Sequence, residues 1–178
     1  MTIRNTFFNT AVLFLLLTGT AVAQPRNGFG LNGGLVSHSR DCGGCAGSSS
    51  SGLSIGVDYQ FALSDKLSIS PFLMSSGETS SNVSGTNIGH GIFGAQLRYW
   101  PGGNMFFGGH LARYSEVISS GGLSLSGNGG GAGLVAGWER QNGGLYFMGQ
   151  LDSATISYSG ISDIKFTAFR LSAGYRWK

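Results

Sequence analysis

The chain has 178 residues, of which 32 are Gly, and it carries only 11 Lys/Arg and 8 Asp/Glu, for a formal net charge of +3. Charged residues make up 11% of the chain, against about 25% in ordinary soluble domains, which argues against a conventional water-soluble enzyme. Hydrophobic residues at 41% argue against a disordered chain, and the small net charge is not typical of a nucleic-acid-binding protein.

The N-terminus has the three parts of a secretory signal peptide. Arg4 provides the positive charge, Ala11–Leu17 is a short apolar run, and Ala21–Ala23 supplies small residues before a cleavage site. The run is too short for a spanning helix, and no later stretch approaches the roughly 18 apolar residues that such a helix needs. We therefore expect a signal peptide over 1–23, cleaved before Gln24, and a single exported domain over 24–178.

Two cysteines, Cys42 and Cys45, form a Cys-Gly-Gly-Cys group in a Gly/Ser-rich stretch. Disulfides persist outside the cytoplasm, so the sequence predicts a local disulfide that staples a loop. A redox dithiol would need a helix N-terminus in a βαβ context, and a metal site would need further ligands. These readings, and that of free thiols, stay open as alternatives.

Apolar residues then recur at every second position in eight segments, the period of a strand with two different faces. The apolar positions are, in chain order, Phe29, Leu31, Gly33 and Leu35; Leu53, Ile55, Val57, Tyr59 and Phe61; Leu67, Ile69, Pro71 and Leu73; Phe93, Ala95, Leu97 and Tyr99; Phe107, Gly109 and Leu111; Leu134, Ala136 and Trp138; Leu145, Phe147, Gly149 and Leu151; and Phe169, Leu171, Ala173, Tyr175 and Trp177.

The links between these segments alternate in length, which indicates how the strands are connected. Tight turns rich in Gly, Asn and Asp are expected at 64–66, 101–104 and 141–144, and longer Ser/Gly-rich links at about 37–52, 75–91, 115–131 and 154–163. Both termini then lie at the short-turn end, as an even-stranded up-and-down barrel requires. In lipid the sheet must close, because unpaired backbone groups are costly there. The predicted fold is therefore an all-β, eight-stranded antiparallel transmembrane β-barrel with short periplasmic turns and longer extracellular loops.

Large aromatic residues gather near the short-turn end of the predicted barrel. Trp100, Trp138, Tyr175 and Trp177 all lie there, and amphipathic rings concentrate at membrane interfaces. We expect these residues to form an aromatic girdle. The competing fold is a soluble sandwich or lipocalin-like binder with its apolar faces turned inward, but the few charged residues would solubilise such a domain poorly.

If the apolar faces point outward, charged residues occupy the barrel interior. Eight strands leave room only for side chains, and buried charges are tolerated when they are paired. The sequence therefore predicts a plugged polar interior, with no cofactor and no metal site. Its members are expected to be Asp58, Arg98, His110, Glu139, Asp152, Arg170 and Arg176.

The signal peptide, the eight alternating segments and the final stretch Phe169–Trp177 together resemble the small outer-membrane β-barrels of Gram-negative bacteria, the group of the OmpA transmembrane domain, OmpX, Ail and the opacity proteins. The resemblance implies a location in the outer membrane, in contact with lipid and lipopolysaccharide. It also implies that Tyr175 and Trp177 form a C-terminal signal for the barrel-assembly machinery.

The main functional prediction is a nonenzymatic barrel that anchors surface loops and contributes to envelope integrity, adhesion or contact with an extracellular ligand. Two alternatives stay open. One is a lipid A-modifying enzyme, a deacylase or acyltransferase, and the other is a narrow small-solute channel. For the enzyme, the candidate groups are His38 with Ser37, Ser39 and Asp41, and His90 with Glu78 and nearby serines.

Overall fold

A computed structural model describes residues 26–41, 48–80 and 85–178 of the chain. The expected signal peptide over 1–23 and the expected disulfide between Cys42 and Cys45 lie outside these residues. Within the described ranges, no helix is long and apolar enough to cross a membrane.

The described part of the chain forms eight antiparallel strands of 14 to 17 residues. Each strand pairs with its neighbours in sequence, and the first pairs with the last, for example Leu35 with Leu171, so the sheet closes into a barrel. This confirms the predicted fold class. The strands are β1 (Gly28–Asp41), β2 (Ser48–Ala62), β3 (Leu67–Ser80), β4 (Asn87–Gly102), β5 (Met105–Ser120), β6 (Leu123–Glu139), β7 (Gly144–Tyr158) and β8 (Ile161–Trp177).

The two faces of the barrel reverse the arrangement of a soluble protein. Leu53, Leu111 and Leu134 on the outer face are 67–72% exposed, whereas the charged side chains of Glu139 and Arg170 on the inner face have no exposed surface. We use the name apolar band for the part of the outer surface nearest the short turns. It extends up to the level of Leu35 on β1, Leu111 on β5 and Phe169 on β8. Beyond this level the outward residues are mainly Ser, Gly and Thr.

The strands continue well past the apolar band, which the sequence did not predict. Residues 37–41, 75–80, 115–120 and 154–158, expected in long links, extend β1, β3, β5 and β7. The link between β5 and β6 is only Gly121-Gly122, with φ angles of 58° and 84°, the left-handed region that a two-residue hairpin turn favours. Backbone pairing persists although the outward residues become small and polar, so the loss of apolar alternation marks the edge of the band and not the end of the strand.

Two layers of apolar side chains cross the barrel interior. One layer, midway along the barrel, includes Phe72, Ile92, Tyr114, Ile156 and Phe166. The other lies nearer the short turns and consists of Trp100, Phe106, Val135 and Met148. The first layer separates the polar side chains nearer the short turns from those nearer the loop end, and the second packs against Arg98, whose guanidinium lies 5.1 Å from the Phe106 ring centroid.

Trp100 corrects one sequence prediction, because it belongs to this inner layer and not to an outer girdle. It is 1% exposed, its ring packs against Phe106 at 5.6 Å, and the Arg26 guanidinium lies 4.4 Å from the ring centroid. Strict alternation explains the placement: Tyr99 points outward, so the next residue must point inward. The sequence analysis placed both Tyr99 and Trp100 on the outer face, but two adjacent residues of a strand point to opposite faces.

Candidate functional site

Among the described residues, the charged side chains of the interior form three groups at three levels. The group nearest the short turns, here called the basal network, contains Asp58, Arg98, Glu139 and Arg176, and all four are buried. Asp58 Oδ2 accepts hydrogen bonds from Arg176 Nη2 at 2.9 Å and from Arg98 Nη2 at 3.3 Å. Arg176 Nε also donates to Glu139 Oε1 at 3.1 Å. The network thus joins β2, β4, β6 and β8 across the lumen.

The second group, the central cluster, is built around Asp152 on β7. Arg170 Nη1 donates to Asp152 Oδ2 at 2.6 Å, and His110 Nε2 lies 3.0 Å from Asp152 Oδ1. His110 Nε2 also lies 3.3 Å from the Tyr114 hydroxyl. The seven residues expected inside the barrel are therefore all buried there, divided between the basal network and the central cluster.

The remaining aromatic residues of the expected girdle lie on the outer face at the short-turn end. Tyr175 and Trp177 are about half exposed and their rings lie 5.0 Å apart. Trp138 is partly covered and its ring lies 6.3 Å from that of Phe147.

The third group lies beyond the apolar band, toward the loop end of the barrel. We call it the His–Glu cluster, and it consists of His38 on β1, Glu78 on β3, His90 on β4 and Glu116 on β5, with Arg40 beside them. All five side chains are buried in the interior. Outward-facing residues at this level include Ser, Gly and Thr.

The Glu78 carboxylate lies between the two imidazole rings. His38 Nδ1 is 2.6 Å from Glu78 Oε2, and His90 Nε2 is 3.5 Å from Glu78 Oε1. His90 Nε2 is also 3.1 Å from Glu116 Oε2. The two rings are stacked, with centroids 4.4 Å apart, and Phe166 contacts both, at 5.4 Å from His38 and 5.9 Å from His90.

The protonation states of this cluster follow from burial and from its charges. Burial alone would raise the pKa of Glu78, but the hydrogen bond and charge of His38, together with the Ser50 hydroxyl, outweigh burial and lower that pKa to about 2. Burial lowers the pKa of His90 to about 4, and His38 adds to this effect against the opposite influence of Glu116 and Glu78. At neutral pH the cluster therefore combines an ionised Glu78 with a neutral His90 ring.

The candidate catalytic groups do not assemble as a nucleophile and a base. Ser37, Ser39 and Asp41 lie on the outer face of β1, whereas His38 points inward. Near His90, the hydroxyls of Ser50 and Ser76 donate to Glu78, at 2.6 and 3.0 Å. Among the described residues, no hydrogen bond joins a seryl hydroxyl to a histidine ring, the contact that activates a serine nucleophile.

Sequence reasoning placed His38, Glu78 and His90 in loops and overlooked Arg40 and Glu116. The alternation of inward and outward residues along each strand could have located them. On β1, Gly30, Val36, His38 and Arg40 all occupy even positions and share the inner face. Extending period two beyond the last apolar residue would have brought these polar residues inside the barrel.

The fold is that of small eight-stranded outer-membrane barrels. The attachment invasion locus protein Ail of Yersinia pestis superimposes with a TM-score of 0.57 and 14% sequence identity, covering 85% of this chain and 99% of Ail. Neisserial surface protein A (NspA) gives a TM-score of 0.60 and 10% identity, covering 84% of this chain and 97% of NspA. No protein-family model and no curated protein matches the sequence. At these identities the likeness concerns the fold.

Proposed function

We propose that this chain is a nonenzymatic β-barrel of a Gram-negative outer membrane that holds its polar, loop-end strands at the cell surface, where they serve envelope integrity or contact with external molecules. The observation that carries the proposal is the apolar band around a closed barrel with a charged interior. A soluble protein would bury residues such as Leu111 and Leu134, which are 72% and 67% exposed, whereas lipid would cover them.

The height of the apolar band supports insertion in a bilayer. On β8 the band runs from Phe169 to Trp177, about 27 Å along the strand at roughly 3.3 Å per residue. A tilt of about 40° reduces this length to about 20 Å, close to the roughly 25 Å band of outer-membrane barrels. Outer-membrane lipid and lipopolysaccharide are the partners that this surface fits.

In the part of the chain that the structure describes, ion pairs and apolar side chains cross the lumen at several levels, which favours a surface role over transport. Arg98 and Arg176 bridge Asp58 and Glu139 across the barrel, and two apolar layers cross the interior. Ail and NspA, which share the fold, are described as an attachment invasion locus protein and a surface protein. We extend a surface role to this chain on the basis of its long polar strands.

Assembly in the membrane would use the last strand. Tyr175 and Trp177 end β8 on the outer face, about half exposed, as the C-terminal signal of the resembled family requires. The barrel-assembly machinery is the partner at this step. Replacing both aromatics with Ala is expected to lower the amount of folded barrel in cells, and replacing exposed Leu123, near the β5–β6 turn, provides the control.

Epitope insertion tests both location and orientation. An epitope placed between Gly121 and Gly122, at the loop end, should bind antibody on intact cells. The same epitope placed between Gly103 and Asn104, at the short-turn end, should bind only after the outer membrane is permeabilised. The reverse pattern, or recovery of the wild-type protein outside the outer-membrane fraction, would contradict the proposal.

Mass spectrometry of lipid A tests the nonenzymatic part separately. Cells with and without the protein in the outer membrane should give the same lipid A profile, because Ser50 and Ser76 hydrogen-bond to Glu78 and not to a histidine. Gain or loss of one acyl chain would instead identify a lipid A-modifying enzyme and would leave the location unaffected.

A further inference from the structure

We propose that the His–Glu cluster is a binding site for a divalent transition-metal ion of the Zn²⁺ type, with His38, Glu78 and His90 as ligands and the Glu116 carboxylate completing the set. The sequence predicted no metal site, and the fold alone does not require one. The site lies in the strands beyond the apolar band.

Inward-facing side chains of β1, β3, β4 and β5 bring the ligand atoms together inside the barrel. One ligand atom from each of His38, Glu78 and His90 lies within 4.8 Å of the other two, and Glu116 Oε2 is 3.1 Å from His90 Nε2. A tetrahedral Zn²⁺ with bonds of about 2.0–2.2 Å places its ligand atoms about 3.3 Å apart. The distances of 3.5 Å from His90 Nε2 to Glu78 Oε1 and 3.1 Å from His90 Nε2 to Glu116 Oε2 are close to this value.

His90 Nε2 faces incompatible hydrogen-bonding partners. Arg40 Nη2, a donor, is 3.1 Å away, and Glu116 Oε2, an acceptor, is also 3.1 Å away. A ring nitrogen can either accept from the first or donate to the second, so one contact is always unfavourable. A metal ion bound to His90 Nε2 and the carboxylates would remove this conflict, with Arg40 retained on Glu116, to which it donates at 3.0 Å.

The other ring nitrogens are also unusual. His38 Nε2 and His90 Nδ1 are fully buried and accept or donate no hydrogen bond among the described residues. Buried polar atoms without a partner are costly, and both imidazole side chains have no exposed surface. Each of the two rings therefore has one nitrogen that makes no hydrogen bond among the described residues.

Neighbouring groups hold the carboxylates in place, as second-sphere partners of metal sites do. Ser50 Oγ donates to Glu78 Oε2 at 2.6 Å, and Ser76 Oγ donates to Glu78 Oε1 at 3.0 Å. The Tyr158 hydroxyl donates to Glu116 Oε1. Both ligand carboxylates are thus oriented from outside the cluster.

The donor set selects the class of ion. Two imidazoles and two carboxylates suit Zn²⁺ and its first-row neighbours, whereas Ca²⁺ and Mg²⁺ prefer oxygen ligands alone. Glu78 and Glu116 supply two negative charges and Arg40 one positive charge, so the site with neutral imidazoles has a net negative charge that attracts a cation. Metal binding uses the neutral form of the two imidazoles and the ionised form of the carboxylates.

The test measures Zn²⁺ binding to the tag-free chain, folded in detergent micelles and freed of metal with a chelator. Titration against a chromophoric competitor should give one Zn²⁺ per chain, and Ca²⁺ should not compete. His90→Gln and Glu78→Gln should weaken binding by more than 100-fold, and Ser50→Ala by about 10- to 100-fold, the range seen for second-sphere partners.

Two controls separate this site from other histidines and from the cysteines. His110→Gln removes a buried histidine of the central cluster and should leave the Zn²⁺ affinity unchanged. Cys42→Ser with Cys45→Ser should also leave it unchanged. Loss of binding in the cysteine variant, with full binding in His90→Gln, would assign the metal to the cysteines and overturn the proposal.

A second readout covers variants that fail to fold. In the wild-type barrel, Zn²⁺ should shift the imidazole NMR signals of His38 and His90 but not those of His110. Absence of saturable binding, or shifts confined to His110, would overturn the proposal. The measurement is made in detergent, so its result does not depend on where the barrel resides in the cell.

Discussion

At the residue scale, inward-facing glycines create the space that the polar side chains occupy. A Cβ atom added at Gly133 on β6 would lie 2.3 Å from His110 Cε1 and 2.6 Å from both Asp152 Oδ1 and the Leu151 carbonyl oxygen. These distances are too short for any real contact, and one of the obstructing atoms belongs to the backbone. The central cluster therefore depends on the missing side chain at this position.

Gly133→Ala is expected to lower the free energy of unfolding by about 1–3 kcal/mol, the usual cost of overpacking a filled interior. Gly130→Ala, on the outer face of the same strand, is the matched control, because an added Cβ there meets nothing within 4 Å. Urea unfolding of both variants in lipid vesicles provides the comparison. An equal change in stability for the two variants would show that overpacking at Gly133 is not the cause of the loss.

Arg176 is the residue on which the basal network most depends. It donates hydrogen bonds to Asp58 and to Glu139 and is 1% exposed. Arg176→Met leaves two buried carboxylates short of a partner, and loss of one member of a buried ion pair costs about 3–5 kcal/mol. Urea unfolding should show a loss of this size, whereas Lys66→Met in the exposed β2–β3 turn should change stability by less than about 0.5 kcal/mol.

At the element scale, each strand has an outer face of two parts, apolar near the short turns and polar near the loops. On β6 the outward residues change from Leu134, Ala136 and Trp138 to Ser126 and Asn128 within one continuous strand. Hydrogen bonds to β5 and β7 continue through both parts. The strand is therefore longer than its apolar part, and in the proposed orientation its upper part would stand in water.

A charge scan along β6 should locate the boundary between these two parts. Leu134→Arg places a cation in the apolar band and is expected to cost about 2–4 kcal/mol in lipid, whereas a site near or beyond the interface costs about 0–1 kcal/mol. Ser126→Arg tests such a site on the same strand and face. Unfolding in vesicles measures both, and an equal cost for the two variants would contradict insertion of the band in lipid.

The same division explains what could be predicted from the sequence. Leu53 to Phe61 and Phe169 to Trp177 alternate so regularly that the strands, their outward faces and the closed barrel follow from period two. Beyond Leu35 the outward residues of β1 are Ser37, Ser39 and Asp41, so alternation in polarity disappears although the backbone still pairs. The basal network was accessible because Arg98 lies between apolar residues, and the His–Glu cluster was not, because the outward residues that alternate with its members are mostly small or polar.

At the scale of the whole molecule, the barrel is a stack of layers that each tie several strands together. The basal network spans β2, β4, β6 and β8, and the His–Glu cluster spans β1, β3, β4 and β5. The two therefore engage different sets of strands and share only β4. An apolar layer between them keeps each set of charges away from the other.

This layered interior predicts that the barrel does not conduct ions. A steady ion path would have to pass Arg26 over Trp100, then the basal network, and then the layer of Ile92, Tyr114 and Phe166. Each barrier consists of side chains packed across a lumen that eight strands leave only wide enough to fill. In planar bilayers, the purified wild-type barrel should give no steady open level and at most brief flicker. Large and stable conductance, carried by ions of either sign, would show that these layers open together and would reassign the protein as a small-solute channel.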